Sequence, residues 1–394
     1  MRSPVDKPST WLAQLLDVRA LGSVLGRSGS ERAAAYGRTA GDAYDPKASD
    51  AARASTYPPP YPDSWYVLAR SEEVGSRPLE VEALGRRFVV FRSDVDGRVA
   101  VLDADCPHLG ASLGGGTVRD GCIQCPFHQW RFRPDGTVAA VPYRDRVPSS
   151  VRTRSWVVEE AYGSVFVYFS SADAERGRAP EPPYRLPRYP EIDDGRFVYR
   201  GSYDPRVVRM HLLEFAENSA DFRHFAPLHG EMFIPWTSMR VPGITVVHEA
   251  SWEPDPREPH VAWFRDRAHL EILGREVPRS GADAAIEFVG PGGVVVFTFD
   301  VPDFGGAIMF QSHTPLGPMA QQVRFTWFAE RRMPRLIASY VIGNWISQWR
   351  EDVPIWERKV YRRKPMLLPS DGPMHQLRRW YSQFYPDGAV DWAA

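Results

Sequence analysis

The first residues with evident chemical potential form two short motifs that each pair a cysteine with a histidine. They read Cys106-Pro-His108 and Cys125-Pro-Phe-His128, with sixteen residues between them. Thiolates are the ligands that iron–sulfur clusters require, and two neutral imidazoles on one iron raise the reduction potential of the cluster. A structural zinc site uses the same side chains, but zinc fingers usually group cysteine with cysteine and histidine with histidine. The alternating order therefore predicts a [2Fe–2S] cluster bound by all four side chains.

The residues around both motifs suit loops that wrap such a cluster. Glycines at 114–116 and the pair Pro126-Phe127 favour tight turns whose backbone N–H groups point at the cluster sulfurs. Trp130 is expected to cover the site, a role compatible with ordinary core packing. Cys122 is interpreted as a buried bystander, because the set of two cysteines and two histidines is complete without it. That set is the one found in Rieske centres.

A second group of candidate ligands lies about one hundred residues further along, in the stretch from 217 to 229. Asp221 and His224 are three residues apart, a spacing that places both on one helical face. Pro227 is expected to break the helix before His229, and a bent helix can bring both imidazoles to one metal ion. Two histidines and one carboxylate form the facial triad of non-haem Fe(II) oxygenases, which leaves positions open for O₂ and substrate.

The carboxylate of this triad has four candidates, which are Asp300, Asp303, Glu351 and Asp352. The first two stand in a turn-like composition of proline and glycine. Asp352 lies in a long helical pattern among aromatic and aliphatic residues, which favours an inward orientation. The alternative is a solvated Asp352 paired with a neighbouring arginine. The residues alone leave this choice open.

The elements that position these residues follow from composition along the chain. We predict an extension over 1–62, with an amphipathic helix from Trp11 to Leu25 and a proline-rich connector. Short β-type runs then predict an all-β domain over 63–178, and a proline-rich linker covers 179–195. A helix, several strands and a long final helix predict a catalytic domain over 196–394. Together they indicate the α+β class.

Charge and cysteine usage exclude some classes of function. The 48 Lys+Arg and 49 Asp+Glu give a net charge of −1, so no basic field exists to hold nucleic acid. Three cysteines in 394 residues argue against a disulfide framework and for a reducing, cytoplasmic location. No signal peptide or membrane-spanning run is expected, although the amphipathic stretch either docks on the protein or contacts a membrane surface peripherally.

From about residue 63 to 388 the chain resembles the Rieske-type non-haem iron oxygenases. The stretches 351–359 (EDVPIWERK) and 371–385 (DGPMHQLRRWYSQFY) are similar to cholesterol 7-desaturases of the Neverland type and to the oxygenase component of 3-ketosteroid 9α-hydroxylases. The resemblance implies an N-terminal all-β Rieske [2Fe–2S] domain and a C-terminal helix-grip (Bet v1/START-like) domain with an antiparallel sheet. The membrane-spanning N-terminal segment of the animal desaturases is expected to be missing here.

The resemblance also implies roles for the candidate residues. His224, His229 and Asp352 would hold the mononuclear iron, Cys106, His108, Cys125 and His128 the cluster, and Asp221 would pass electrons between the centres of neighbouring chains in a homotrimer. Asn218 either orients the metal site or satisfies helix backbone. The cavity would be apolar, with core packing as the alternative role of its six candidate wall residues, which are Phe225, Phe297, Phe299, Phe310, Trp345 and Ile346.

The activity implied by this resemblance is oxidation of a sterol with O₂. Electrons from NAD(P)H would arrive through a reductase, with or without a ferredoxin. The expected reaction is 7,8-desaturation of cholesterol to 7-dehydrocholesterol, and the alternative is hydroxylation of a steroid, as in the 3-ketosteroid 9α-hydroxylases. The position of the substrate relative to iron decides between these outcomes, and the sequence does not show that position.

Overall fold

The computed structural model describes residues 46–147, 150–171, 181–278, 280–387 and 389–390. The predicted amphipathic stretch from Trp11 to Leu25 lies outside these residues. A short helix, α1 (Pro46–Ala54), precedes a β domain, and a larger domain built on a single sheet follows. Within the described ranges no helix has both the length and the apolar character needed to cross a membrane.

The N-terminal domain consists of three small antiparallel sheets, with strand orders β1-β10-β9, β2-β3-β4 and β5-β6-β7-β8. Its strands are β1 (Ser64–Arg70), β2 (Leu79–Ala83), β3 (Arg86–Arg92), β4 (Val99–Asp103), β5 (Thr117–Arg119), β6 (Cys122–Gln124), β7 (Arg131–Phe132), β8 (Val138–Ala140), β9 (Val158–Ala161) and β10 (Ser164–Phe169).

Strand β10 explains why this domain does not stand apart from the next one. Its sequence, SVFVYF, is buried along both faces. Val165, Val167 and Phe169 pack into the β domain, whereas Phe166 and Tyr168 pack against strands of the C-terminal sheet. A strand that is apolar at every position is the pattern expected when both faces are covered. The two domains therefore share an apolar interface.

The C-terminal domain is a nine-stranded antiparallel sheet with the order β11-β19-β18-β17-β16-β14-β13-β12, in which β15 pairs with β14. The strands are β11 (Phe197–Tyr203), β12 (Glu231–Phe233), β13 (Arg240–Pro254), β14 (Val261–Ile272), β15 (Arg275–Glu276), β16 (Ala282–Val289), β17 (Val294–Val301), β18 (Gly305–Gly317) and β19 (Ala320–Glu330). The helices are α2 (Pro190–Asp193), α3 (Leu212–Ala220), α4 (Arg335–Trp356) and α5 (Met374–Tyr381). This arrangement confirms the predicted α+β class, while the exact domain boundaries stay a prediction.

The long helix α4 packs its apolar stripe into the curled sheet. The buried positions of that stripe recur every three or four residues, the period of one helix face: Ala338, Ile342, Ile346, Trp349, Val353 and Trp356. They join one core with a row of inward residues from four adjacent strands, Trp252, Phe264, Ile286 and Phe297. Between these inward positions, Ser251 and Glu253 on β13 are exposed, whereas Val296 on β17 is buried against the N-terminal domain.

A glycine permits the closest approach between α4 and the loop before β13. A Cβ atom on Gly343 would lie 2.4 Å from Trp236 Nε1. The indole cannot retreat easily, because its Nε1–H donates to the Ser339 carbonyl at 3.0 Å and the ring is buried. The absence of a side chain at position 343 therefore sets how closely α4 can pack.

We expect Gly343→Ala to lower the free energy of unfolding by roughly 1–3 kcal/mol, because overlap with the Trp236 ring outweighs the better helix propensity of alanine. The measurement is the urea midpoint of unfolding. The matched control is Gly317→Ala, where the nearest atom to a new Cβ is 3.9 Å away. Equal midpoints for the two variants would contradict this account of α4 packing.

Candidate functional site

The two cysteine–histidine motifs fold into a pair of similar loops. The carbonyl of Cys106 accepts the N–H of Gly110 at 2.8 Å, and the carbonyl of Cys125 accepts the N–H of Gln129 at 3.1 Å. Gly110 and Gln129 both adopt positive φ, at 76° and 58°. Each motif is thus a tight turn that closes four residues after its cysteine and leaves the histidine within the turn.

The four side chains meet in a way that fits a [2Fe–2S] cluster. Cys106 and Cys125 are buried. Burial is the main cause that raises the pKa of the Cys106 thiol to about 11, and the neighbouring Cys125 thiol raises it further. His108 and His128 are half-buried, and their ring centroids are 4.6 Å apart. Two buried sulfurs and two outer imidazoles form the donor set of a cluster with cysteine on one iron and histidine on the other. Bound iron would convert the thiols to thiolates.

Neighbouring residues fix the histidine side of this cluster site. Trp130 stacks on His108 with centroids 4.6 Å apart and an angle of 10°, and its Nε1–H donates to the Tyr143 hydroxyl at 2.7 Å. A Cβ on Gly116 would lie 2.1 Å from the Gln124 carbonyl oxygen, so only glycine fits there. Cys122 lies buried on β6, and burial raises the pKa of its thiol.

The second motif differs from its predicted local structure. Helix α3 ends at Ala220, and Asp221 is extended, with φ −94° and ψ 93°. The prediction that Asp221 and His224 share one helical face is therefore wrong, as is the prediction that Pro227 breaks the helix. The physical reason is a cap: the Asp221 carboxylate accepts the N–H of Arg223 at 3.1 Å and starts a 3₁₀ turn over 222–224. A π-helical turn over 225–229 follows and carries His229.

These turns bring His224 and His229 to Asp352 on α4. One ligand atom from each of the three residues lies within 4.8 Å of the other two. His229 Nε2 is 3.1 Å from Asp352 Oδ1, and the two imidazole planes are nearly perpendicular, at 86°. Among the described residues, these three are the group of His, Cys, Asp or Glu side chains whose ligand atoms lie close enough together to share one metal ion. The site combines two imidazoles and one carboxylate, the ligand set of the facial triad in non-haem Fe(II) oxygenases.

The electrostatics of the three side chains favour a bound cation. His224 donates its Nδ1–H to the Asp221 carbonyl, which leaves Nε2 with a lone pair, and burial lowers the pKa of this imidazole. His229 and Asp352 are buried, and Asp352 Oδ1 has no hydrogen-bond donor within the described structure despite its close contact with His229. Buried acceptors without donors are costly unless a cation or water satisfies them. The donor set fits Fe(II).

Asn218, on α3, contacts His224 in the turn that follows and two residues of α4. Its Nδ2–H₂ donates to His224 Nε2 at 3.2 Å and lies 3.5 Å from Asp352 Oδ2. Its Oδ1 accepts the Nε1–H of Trp356 at 3.3 Å. The amide therefore links α3 to α4 across the metal-binding atoms.

The structure distinguishes Asp352 from the other three carboxylates that the sequence left as candidate ligands. Glu351 points away and pairs with Arg240 at 3.2 Å. Asp300 and Asp303 lie at the end of β17 and in the turn that follows it. The neighbouring Arg350 donates to the Trp236 carbonyl at 2.7 Å and to the Tyr203 hydroxyl at 2.8 Å.

An apolar cavity adjoins the three side chains, with about 460 Å³ of empty space that includes solvent at its mouth. Of the six candidate wall residues, Phe225, Phe297 and Trp345 line it. The other three do not: Phe299 and Ile346 pack in the core, and Phe310 stacks on Tyr162 at the domain interface. Further lining residues are Phe215, Ser219, Phe264, Ile286, Phe288, Gln348, Trp349 and Trp356.

Sequence reasoning missed a buried polar pair behind the cavity wall. Gln311 Nε2 is 2.8 Å from His313 Nε2, and the Trp345 indole N–H donates to Gln311 Oε1 at 3.3 Å. Burial lowers the pKa of His313 to about 3, so the ring is neutral. The pair fixes the indole that lines the cavity. Alternate polar residues in an otherwise apolar strand were the only available signal, and they did not indicate a partner on α4.

Comparisons with known families agree with this geometry. Residues 64–151 match the family described as Rieske [2Fe-2S] domain, and residues 172–385 match the 3-Ketosteroid 9alpha-hydroxylase C-terminal domain. The chain therefore belongs to the Rieske-type non-haem iron oxygenases. Its C-terminal half is of the 3-ketosteroid 9α-hydroxylase type. An enzyme of this family uses a Rieske cluster and a mononuclear iron, and both donor sets are present here.

Individual relatives extend over most of the chain. It is 34% identical to "Cholesterol 7-desaturase nvd" of Drosophila melanogaster, over 83% of this chain and 76% of that protein. It is 31% identical to "Cholesterol 7-desaturase" of Caenorhabditis elegans, over 86% and 80%. It is 29% identical to "Probable 3-ketosteroid-9-alpha-monooxygenase, oxygenase component" of Rhodococcus rhodochrous, over 84% and 82%.

Solved structures show the same fold at lower identity. Dicamba monooxygenase bound to dicamba has a TM-score of 0.59 and 18% identity, over 82% of this chain and 96% of that one. The NdmA QL mutant of Pseudomonas putida with theobromine has a TM-score of 0.59 and 18% identity, over 80% and 88%. Both support the two-domain oxygenase fold.

We expect Asp352→Ala to lower iron content from roughly three to roughly two atoms per chain, because the mononuclear site loses its only anionic ligand while the cluster keeps its two irons. Iron analysis and visible absorbance of the cluster measure the two centres separately. Glu351→Ala is the matched control, since it removes the adjacent carboxylate on the same helix. Retention of a full third iron by Asp352→Ala would refute the assignment.

Proposed function

We propose that this chain is the oxygenase component of a sterol-oxidising system, and that it converts cholesterol to 7-dehydrocholesterol by 7,8-desaturation. The observation that carries the proposal is the apolar cavity ending at His224, His229 and Asp352. It occurs in a chain that is similar to cholesterol 7-desaturases over more than four fifths of its length.

Iron held by His224, His229 and Asp352 would supply O₂ activation, using electrons from the cluster. The protein contributes the rest. Aromatic walls around the ligands exclude water and restrict a flat, rigid hydrocarbon to few orientations. Asn218 Nδ2–H₂ lies beside ligand atoms of His224 and Asp352. With the His224 Nε2 lone pair taken by bound iron, the amide would orient the Asp352 carboxylate from α3.

The two candidate reactions differ in what leaves the substrate. In desaturation, O₂, two electrons and two protons combine with two hydrogens of neighbouring substrate carbons, which gives an alkene and two waters. In hydroxylation, the same inputs give an alcohol and one water. The match to the 3-ketosteroid 9α-hydroxylase C-terminal domain supports hydroxylation as the second candidate. The walls of the cavity decide which carbons lie near the iron.

Electron delivery is proposed to run through Asp221. This half-exposed residue holds His224 through its backbone carbonyl, while its carboxylate lies at the start of the same turn. In the described chain the Asp221 carboxylate makes no hydrogen bond to His108 or His128. We propose a homotrimer in which a cluster histidine of a neighbouring chain donates to it, with a reductase, with or without a ferredoxin, as the electron source.

The reaction is tested with purified protein, a ferredoxin, a reductase, NADH and O₂, incubated separately with cholesterol and with a 3-ketosteroid. We expect a cholesterol product that is lighter by two hydrogens and has a conjugated 5,7-diene absorbance. A product heavier by one oxygen would replace desaturation by hydroxylation. Absence of product from both steroids, with both metal centres loaded, would refute a sterol substrate.

We expect Asp221→Asn to reduce NADH-coupled turnover at least about a hundredfold, because a neutral amide binds a cluster histidine less well than a carboxylate does. Iron content and cluster absorbance should not change, since the Asn side-chain oxygen can still cap Arg223. Glu231→Gln, on the strand that follows the π turn, is the control for loss of a nearby surface carboxylate. Wild-type turnover by Asp221→Asn would exclude the electron-bridging role.

A further inference from the structure

The inward face of the sheet changes from large to mostly small side chains two residues beyond the row that lines the cavity. Phe264, Ile286 and Phe297 line the cavity and stand side by side on β14, β16 and β17. Two residues further along each strand, about 7 Å away, the next inward row contains three alanines. It reads Ala250, Asp266, Ala284, Phe299 and Ala307. The alanine side chains are much smaller than the side chains of the first row.

One carboxylate interrupts this second row and pairs with a histidine of the neighbouring strand. Asp266 Oδ2 lies 2.7 Å from His248 Nδ1, and the two side chains are 10% and 4% exposed. His248 also stacks on Phe225, which lines the cavity, with centroids 4.9 Å apart. The pair therefore adjoins the apolar wall on the sheet side of the cavity.

Each member of the pair has a second polar atom that the protein leaves unsatisfied. His248 Nε2 and Asp266 Oδ1 are inaccessible to solvent and have no hydrogen-bond partner within the described structure. Buried polar atoms without partners are rare, and each calls for a ligand or a trapped water. The two atoms point in different directions, because His248 Nε2 faces away from the Nδ1 atom that contacts Asp266, so each atom needs a partner of its own.

We propose that the His248–Asp266 pair binds an alcohol hydroxyl of the substrate. The inference rests on the proposed sterol function and narrows its substrate class to hydroxysteroids rather than ketosteroids. A carboxylate oxygen only accepts hydrogen bonds, so Asp266 Oδ1 requires a donor. A hydroxyl supplies that donor through its O–H. A ketone oxygen has no donor and would face the carboxylate unpaired.

The test compares 5α-cholestan-3β-ol with 5α-cholestan-3-one, which differ only in the oxygen function. Binding to the holoenzyme is followed by quenching of tryptophan fluorescence, because Trp345, Trp349 and Trp356 line the cavity. We expect the alcohol to bind at least about tenfold more tightly than the ketone, since the ketone leaves the carboxylate oxygen unpaired.

The variant Asp266→Asn provides the sharper test. Its Oδ1 can keep the bond to His248 Nδ1–H, so its amide N–H₂ takes the position of the unsatisfied oxygen and offers donors. We expect the preference to fall at least about tenfold and to shift towards the ketone. Asp283→Asn is the matched control, because Asp283 is exposed on the neighbouring strand β16 and pairs with Arg267. Its alcohol preference should equal that of the wild type.

The outcomes separate this inference from the proposed function. Equal wild-type affinities for alcohol and ketone would mean that only water occupies the pair and would overturn the inference, whether or not Asp266→Asn folds. An unchanged preference in folded Asp266→Asn would do the same. In both cases, product formation from a steroid would leave the proposed function standing. Failure of both probes to bind the wild type would overturn the sterol function itself.

Discussion

The packing of α4 into the concave face of the sheet is the constraint on which the candidate iron site depends. His224 and His229 lie on consecutive turns after α3, but Asp352 comes from a helix more than one hundred residues later. Its carboxylate reaches the imidazoles only because α4 is fixed along its length. Gly343 allows contact with Trp236, and Arg350 bonds the Trp236 carbonyl and the Tyr203 hydroxyl. The metal geometry is therefore a property of the tertiary core.

Helix α3 is held from behind by two ion pairs whose carboxylates are buried. Glu217 pairs with Arg378 at 2.7 Å, and Glu214 with Lys359 at 2.6 Å, so α3 is tied to the chain after α4. Burial raises the pKa of Glu217, while Lys359 and Arg378 act to lower it. Such pairs contribute little net stability, but they disfavour other orientations of the helix. Here they fix the face that carries Asn218 towards the metal ligands.

The sequence predicted the local chemistry well and the long-range chemistry poorly. The cysteine–histidine motifs, His224 and His229 were found because each set lies within a short stretch. Asp352 was one of four candidates until the resemblance selected it, since helix packing is not encoded in local spacing. The turn after Ala220 was missed because an aspartate cap competed successfully with helix propensity. The pairs His248–Asp266 and Gln311–His313 depend on strand register and side-chain direction, which composition does not show.

Substrate choice in such an enzyme must come from the inner face of the sheet rather than from the iron ligands. Two imidazoles and a carboxylate do not by themselves select one C–H bond over another, and one fold can host many different activities. What differs is the order of large, small and polar residues along neighbouring strands. In this chain a row of large apolar residues lies next to the candidate iron ligands, and a row with three alanines and one largely buried carboxylate lies beyond it. That order favours a long, rigid and mostly apolar molecule with its polar group away from the iron, because a polar end near the aromatic row would lose its hydrogen bonds.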